Sequence, residues 1–421
     1  MKQTKMKQNK VLRRLTTLAM AAMLCIGGTM TALAAPSPST GTEASPAGAV
    51  ITKNLEMADG TAAPTGTFTF NFTKVSEDGA APTAAMPTIP GRTVAVSGMT
   101  SSSTGGVTTL TGDTVDILTG ITFPHAGIYE YSVTEADISS SYTGNDSMTC
   151  SGAAYTVRVY VENGVTNPAI TFAKHIEVVK TADDTGASVS GGKVDMTATT
   201  NEFVFVNTFA VTGGGGTNPT TSSALKLNKT VTGAYGDKTM PFAFELTMTK
   251  AALDAGTPTY KLYLFNNGTL QTTIPASVLS SGGSIQNDGT NDYIEVTAGT
   301  PVNVNLAHGQ ELSVLSATVG TTYKVTETGV ADYTPSVNVT TNGTAVNTPG
   351  TIGANLSTGN SELISAGANS AAFTNAFNDP TSPPTGFGID SLPFVLLIGL
   401  VVGAFVVVGV TKYRKKNYAS K

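Results

Sequence analysis

The chain has no tryptophan, three histidines and two cysteines, and only 13% of its 421 residues are charged. That leaves little material for a metal cluster or for a nucleophile with a matching base. His125, His175 and His308 stand apart with no ligand spacing, and no nucleophile-elbow or phosphate-loop pattern occurs. Each histidine reads as a surface or loop residue, and neither cofactor nor metal is expected. No persuasive long amphipathic helix appears between residues 45 and 380. What fills that region is alternating apolar and polar residues, rich in threonine and broken by Gly, Pro, Asn and Asp, which predicts strands and turns.

The two ends follow different rules. Residues 2–14 carry Lys2, Lys5, Lys7, Lys10, Arg13 and Arg14; the apolar run LTTLAMAAMLCIGG follows, then Ala32-Leu33-Ala34. This predicts a secretory signal peptide over residues 1–34, cut after Ala34. Cys25 lies in that run without the small residue expected before a lipidated cysteine. Only Cys150 survives processing; it reads as a lone thiol and excludes an intramolecular disulfide.

Near the other end an uncharged run from Leu392 to Val410 is long enough for a bilayer of ~30 Å. A transmembrane helix over 392–411 is expected, and Lys412, Arg414, Lys415 and Lys416 place the tail 412–421 in the cytoplasm. The region 379–391 before it contains Ser382-Pro383-Pro384-Thr385-Gly386. Pro-x-Thr-Gly, apolar span and basic tail together resemble the cell-wall sorting signal of Gram-positive surface proteins. The resemblance implies that a sortase, a cysteine transpeptidase, cuts between Thr385 and Gly386 and passes the Thr carbonyl to an amine. Ser382 departs from the usual Leu, and the Ser-Pro-x-Thr-Gly form looks like the variant of clostridial relatives. Trimmed at both ends, the chain keeps 13 basic and 28 acidic residues, a net charge near −15. Nucleic acid is a poor partner for such a surface.

Between the ends one arrangement occurs twice. AVITKNLEM at 49–57 answers ALKLNKTV at 224–231, TFTFNFTKV at 67–75 answers FAFELTMTK at 242–250, EYSVTEAD at 130–137 answers YKVTETG at 323–329, and FVFVNTF answers AAFTNAF. Two β domains are expected, 45–210 and 224–378, joined by a flexible Gly/Thr-rich break at 211–223.

Residues two apart share a strand face. Lys53 falls in phase with Ile51, Leu55 and Met57, and Lys229 with Leu225, Leu227 and Val231. Glu135 falls in phase with Tyr129, Tyr131 and Val133, and Glu327 with Tyr323 and Val325. Asn207 shares its face with Phe203, Phe205 and Phe209, while Asn375 stands between Phe373 and Phe377. Each domain thus offers Lys, Glu and Asn on inward faces, in that order. Burial lowers a lysine's pKa and raises a glutamate's. A neutral amine can attack the asparagine carbonyl carbon while the carboxyl moves protons, and loss of ammonia leaves an isopeptide bond.

The Lys strand, the Y-x-V-T-E strand, the F-x-N-x-F closing strand and the sorting signal resemble the isopeptide domains of streptococcal-type backbone pilins, related to collagen-binding-protein B-type folds. The resemblance covers roughly residues 45–386. It implies an all-β chain of two tandem immunoglobulin-like β-sandwiches, with Lys53 joined to Asn207 assisted by Glu135, and Lys229 joined to Asn375 assisted by Glu327. It also implies an extracellular, wall-anchored shaft subunit, with sortase, other subunits and peptidoglycan as partners, and no enzyme acting on an external substrate. Lys174, Lys180 and Lys193 are candidate acceptors for Thr385 of a neighbouring subunit; Lys193, in GGKVDM, is favoured, although the tyrosine-proline-lysine pilin motif is absent. The alternative is a monomeric anchored adhesin or minor pilin that binds a host or surface ligand.

Overall fold

The computed structural model describes residues 39–197, 200–378 and 392–418. The expected signal peptide and the 382–386 motif lie outside these residues. From residue 39 to residue 378 the described residues are all-β and build two sandwiches, each of two sheets closed over its own core. One core runs from Ala47 to Phe209 and the other from Ala224 to Phe373. Alternation makes these strands two-faced: in Phe242–Thr249, Phe242, Phe244, Leu246 and Met248 are buried and the residues between them are not.

In the first sandwich the opening strand Thr52–Ala58 lies at the centre of a five-stranded sheet, between Val107–Asp113 and the closing strand Val204–Val211. The facing six-stranded sheet carries Gly127–Glu135 between Thr67–Glu77 and Ala154–Asn163. The second sandwich repeats this plan with one larger sheet. Leu225–Thr232 lies between Gln310–Leu315 and Ser370–Phe377 in a nine-stranded sheet, and Thr322–Glu327 neighbours Phe242–Thr249 in a six-stranded one.

Opening and closing strands pair in parallel, although nearly the whole domain separates them in sequence. The register is the same in both: Lys53 is opposite Phe205 and Leu55 opposite Asn207; Lys229 is opposite Phe373 and Val231 opposite Asn375. Lysine and asparagine therefore stand one pleat apart on the same inner face. In the opposing sheet Glu135 is opposite Phe70 and Glu327 opposite Phe244, so both glutamates approach from across the sandwich.

The segment 211–223, expected to be a flexible break, makes backbone hydrogen bonds to the second sandwich at its start. Val319 N donates to Val211 O at 2.8 Å and Gly213 N to Ala317 O at 2.8 Å, tying the end of the first sandwich to the second. Gly214 has φ 74°, and a Cβ there would lie 2.0 Å from the Ser223 backbone. The glycines permit a close backbone approach, which composition alone reads as looseness.

A helix, Leu392–Tyr418, occupies the C-terminal apolar run. Among the described residues no helix is long and apolar enough to cross a membrane.

Candidate functional site

In each domain the lysine, glutamate and asparagine meet inside the sandwich. In the first, Lys53 Nζ donates to Glu135 Oε2 at 2.7 Å and Asn207 Nδ2 donates to Glu135 Oε1 at 2.7 Å. Both ionisable side chains are closed to solvent, as is Asn207. In the second, Lys229 Nζ donates to Glu327 Oε1 at 2.5 Å and Asn375 Nδ2 donates to the same oxygen at 2.9 Å. These three are also buried. One carboxyl touches both prospective reactants in each domain, as a proton shuttle requires.

Aromatic rings wall the groups off. Phe70 and Phe205 stack across the first sandwich at 5.0 Å between ring centres, and Phe244 and Phe373 meet edge to face across the second at 5.2 Å. These phenylalanines are the register partners of the glutamates and lysines. Lys53 Nζ lies 4.7 Å from the Phe68 ring centre and Lys229 Nζ 3.9 Å from that of Phe242. Desolvation pushes both lysines down to about 8, partly opposed by the adjacent carboxylate. The same burial pushes Glu135 and Glu327 up, against the pull of the lysine. The two shifts converge, so moving a proton from ammonium to carboxylate costs far less here than in water. That transfer yields a neutral amine beside a carboxylic acid.

The amide oxygens are treated differently. Asn207 Oδ1 accepts from the main-chain N–H of Ser151 at 2.7 Å. Asp184 organises that turn: its Oδ1 accepts from Ser151 Oγ at 2.6 Å and from Val206 N at 2.9 Å, and its main-chain O accepts from Gly152 N at 2.8 Å. In the second domain Asn375 Oδ1 and Glu327 Oε2 are both buried without a partner. A proton on Glu327 Oε2 would turn that orphan acceptor into a donor for the neighbouring amide. Ser151 and Asp184 were not singled out in the sequence: one acts through its main chain, and the other sits in a polar turn with no apolar phase.

The candidate acceptor lysines lie elsewhere on the first domain. Lys193 is exposed, at the end of the exposed strand Ser188–Lys193, with Nζ 2.6 Å from Glu177 Oε1. Hydrogen bonding to Glu177 holds it above the ordinary lysine value. Lys180 Nζ is 3.3 Å from Asp184 and faces the Tyr155 ring, while Lys174 Nζ is 3.8 Å from Glu162. His175 lies within the strand Thr171–Ala182 rather than in a loop; His308 Nδ1 accepts from Val231 N at 3.0 Å, and His125 Nε2 lies 3.0 Å from Glu77. Among the described residues no group of three or more His, Cys, Asp or Glu is placed to hold a metal. Cys150 is a free, half-buried thiol that burial pushes up.

A family model described as a domain of unknown function (DUF7601) matches residues 223–375. No curated protein matches the chain by sequence. Among solved structures, the major pilin of Streptococcus pyogenes is similar at 23% identity over 78% of this chain and 97% of that one, with a TM-score of 0.30. The major pilin T3.2 of S. pyogenes serotype GAS13637 is 18% identical over 78% of this chain and 99% of that one, with a TM-score of 0.29. A pilus-presented adhesin is 19% identical over 48% of this chain and 36% of its own, with a TM-score of 0.22. Identities and TM-scores of this size assign no role to the chain.

Proposed function

We propose that this chain is a structural subunit of a sortase-polymerised surface pilus whose two domains each close an intramolecular lysine–asparagine isopeptide bond. The observation that carries this reading is the paired site: two buried Lys–Glu–Asn sets at one common register, each with its carboxyl bonded to both reactants. Lys53 or Lys229 gives its proton to the glutamate, and the amine lone pair attacks Cγ of Asn207 or Asn375. The carboxyl then moves a proton from the attacking nitrogen to Nδ2, the Cγ–Nδ2 bond breaks, and ammonia leaves.

Each bond joins opening to closing strand and encloses almost a whole domain. By the loop-entropy model built for disulfides it would stabilise its domain by roughly 5 kcal/mol. Pulling force would then run through the crosslinked strands rather than peel them apart. Such a bond also resists reduction outside the cell, where signal-peptide removal would leave Cys150 with no cysteine partner in the chain.

Assembly rests on the sorting signal: Thr385 would be joined to a lysine of the next subunit or to peptidoglycan. Lys193, the most exposed of the three candidates, is the preferred acceptor. Cell-wall extracts from a strain expressing the chain, run in sodium dodecyl sulfate, should give a high-mass ladder that collapses with Lys193→Arg. A single band from the native chain would overturn polymerisation.

A further inference from the structure

Every polar atom of the reacting amide in the first domain is held, and the atom that gains charge during the reaction is held by something other than the glutamate. We infer that the main-chain N–H of Ser151 is an oxyanion donor for the Asn207 reaction, and that Asp184 is the positioning residue that aims it. This inference rests on the isopeptide reading above and deepens it.

When Lys53 Nζ adds to Asn207 Cγ, the carbonyl π electrons move onto Oδ1. Negative charge therefore develops at the atom 2.7 Å from Ser151 N. The donor is buried, and its aim is fixed from several sides. The Ser151 hydroxyl donates to Asp184 Oδ1 and also accepts from Ala153 N at 3.1 Å, and Asp184 binds Gly152 N and Val206 N as well. Val206 immediately precedes Asn207, so one carboxylate ties the donor turn to the strand carrying the acceptor. Collapse of the intermediate returns the electrons from Oδ1, breaks Cγ–Nδ2 and releases ammonia once Glu135 has delivered the proton. A fixed main-chain donor of this kind needs no reorganisation as charge develops.

The second domain has no counterpart, since Asn375 Oδ1 is buried without a partner. There a protonated Glu327, whose Oε2 is itself buried and unpartnered, would have to be the donor. One chain thus carries two versions of the same reaction, and the second serves as an internal control for the first.

The test is a timed cell-free synthesis of the full chain, quenched in denaturant and digested, with the Lys53–Asn207 and Lys229–Asn375 crosslinked peptides quantified separately. Ser151→Pro, which removes the N–H, should slow the first bond roughly a hundred-fold and leave the second unchanged. Asp184→Ala should slow the first bond about ten-fold, less than full removal of the donor. Asp184→Asn keeps an oxygen acceptor for Ser151 Oγ and Val206 N, and loss of its charge lowers Lys53 and Glu135 together, so it should react close to the native rate. If Ser151→Pro leaves the first domain without hydrogen-exchange protection, the two Asp184 variants decide the matter. The inference is overturned if Asp184→Ala forms the first bond at the native rate, if Asp184→Asn is as slow as Asp184→Ala, or if both bonds slow equally. A native chain that forms neither bond overturns the isopeptide reading itself, a distinct result.

Discussion

The two domains bury the same three side chains at the same strand register but surround them differently. In the first, Glu135 uses one oxygen for Lys53 and the other for Asn207, and Asn207 Oδ1 has its own donor in Ser151 N. In the second, both contacts fall on Glu327 Oε1, leaving Glu327 Oε2 and Asn375 Oδ1 unpartnered. Asp184 also bears electrostatically on Lys53, whereas Glu327 is the charged group that bears on Lys229 among the described residues. The difference separates what the proposed reaction would need from what would assist it. An amine, an amide and a carboxyl touching both are common to the two sites. The amide donor is an addition, and without it proton placement on the glutamate carries more of the load.

Removing the carboxyl should have the largest effect. Glu135→Ala and Glu327→Ala should each abolish the bond in their own domain and leave the other intact, read as one ammonia retained. Glu327→Ala should be the more destabilising of the two. It leaves Lys229 buried with no charged neighbour, costing ~3–5 kcal/mol beyond the lost crosslink, and calorimetry that resolves the two domains would show it. Equal destabilisation would mean that Asp184 gives Lys53 no relief.

Lys53→Met and Lys229→Met come next, since each keeps the apolar stem and removes the reacting amine. Each should lower its own domain's stability by roughly 5 kcal/mol, and by similar amounts because the enclosed loops are of similar length. A marked inequality would show that one domain depends on its crosslink and the other on its core.

Asn375→Ala should leave Lys229 as a free buried amine. Its folded pKa of about 8 lies below its ordinary 10.5, so between those values the unfolded chain binds more protons than the folded one. Stability of the second domain should therefore rise with pH through that window. In the native chain the proposed amide would replace the amine, and the rise should vanish; denaturant titrations at several pH values would compare the two.

The smallest effect belongs to the junction. Gly214→Ala should destabilise the second domain by at least ~1 kcal/mol, because its φ is positive and the Ser223 backbone blocks a Cβ. In a loose linker the same change would be neutral or stabilising.

Much of this could be read from the sequence because strand phase is a local property. Lys53, Glu135 and Asn207 fall in step with apolar neighbours two residues away, and the repetition at Lys229, Glu327 and Asn375 marks the pattern as more than coincidence. Register could not be read that way. Nothing local says that Val204–Val211 runs parallel to Thr52–Ala58 or that Leu55 faces Asn207, because those pairings are settled by contacts across about 150 residues of sequence. Ser151 was invisible because a backbone N–H has no letter of its own. In the 211–223 segment composition was ambiguous, because glycine serves loose linkers and close packing alike and the approach of the Ser223 backbone has no local signature.

The intact mass of the processed native chain tests the central claim most directly. The two buried sets should leave it two ammonias lighter than the sequence of the processed chain dictates, with Glu135→Ala and Glu327→Ala each restoring one. A native mass equal to that of the unmodified chain would contradict the isopeptide chemistry in both domains.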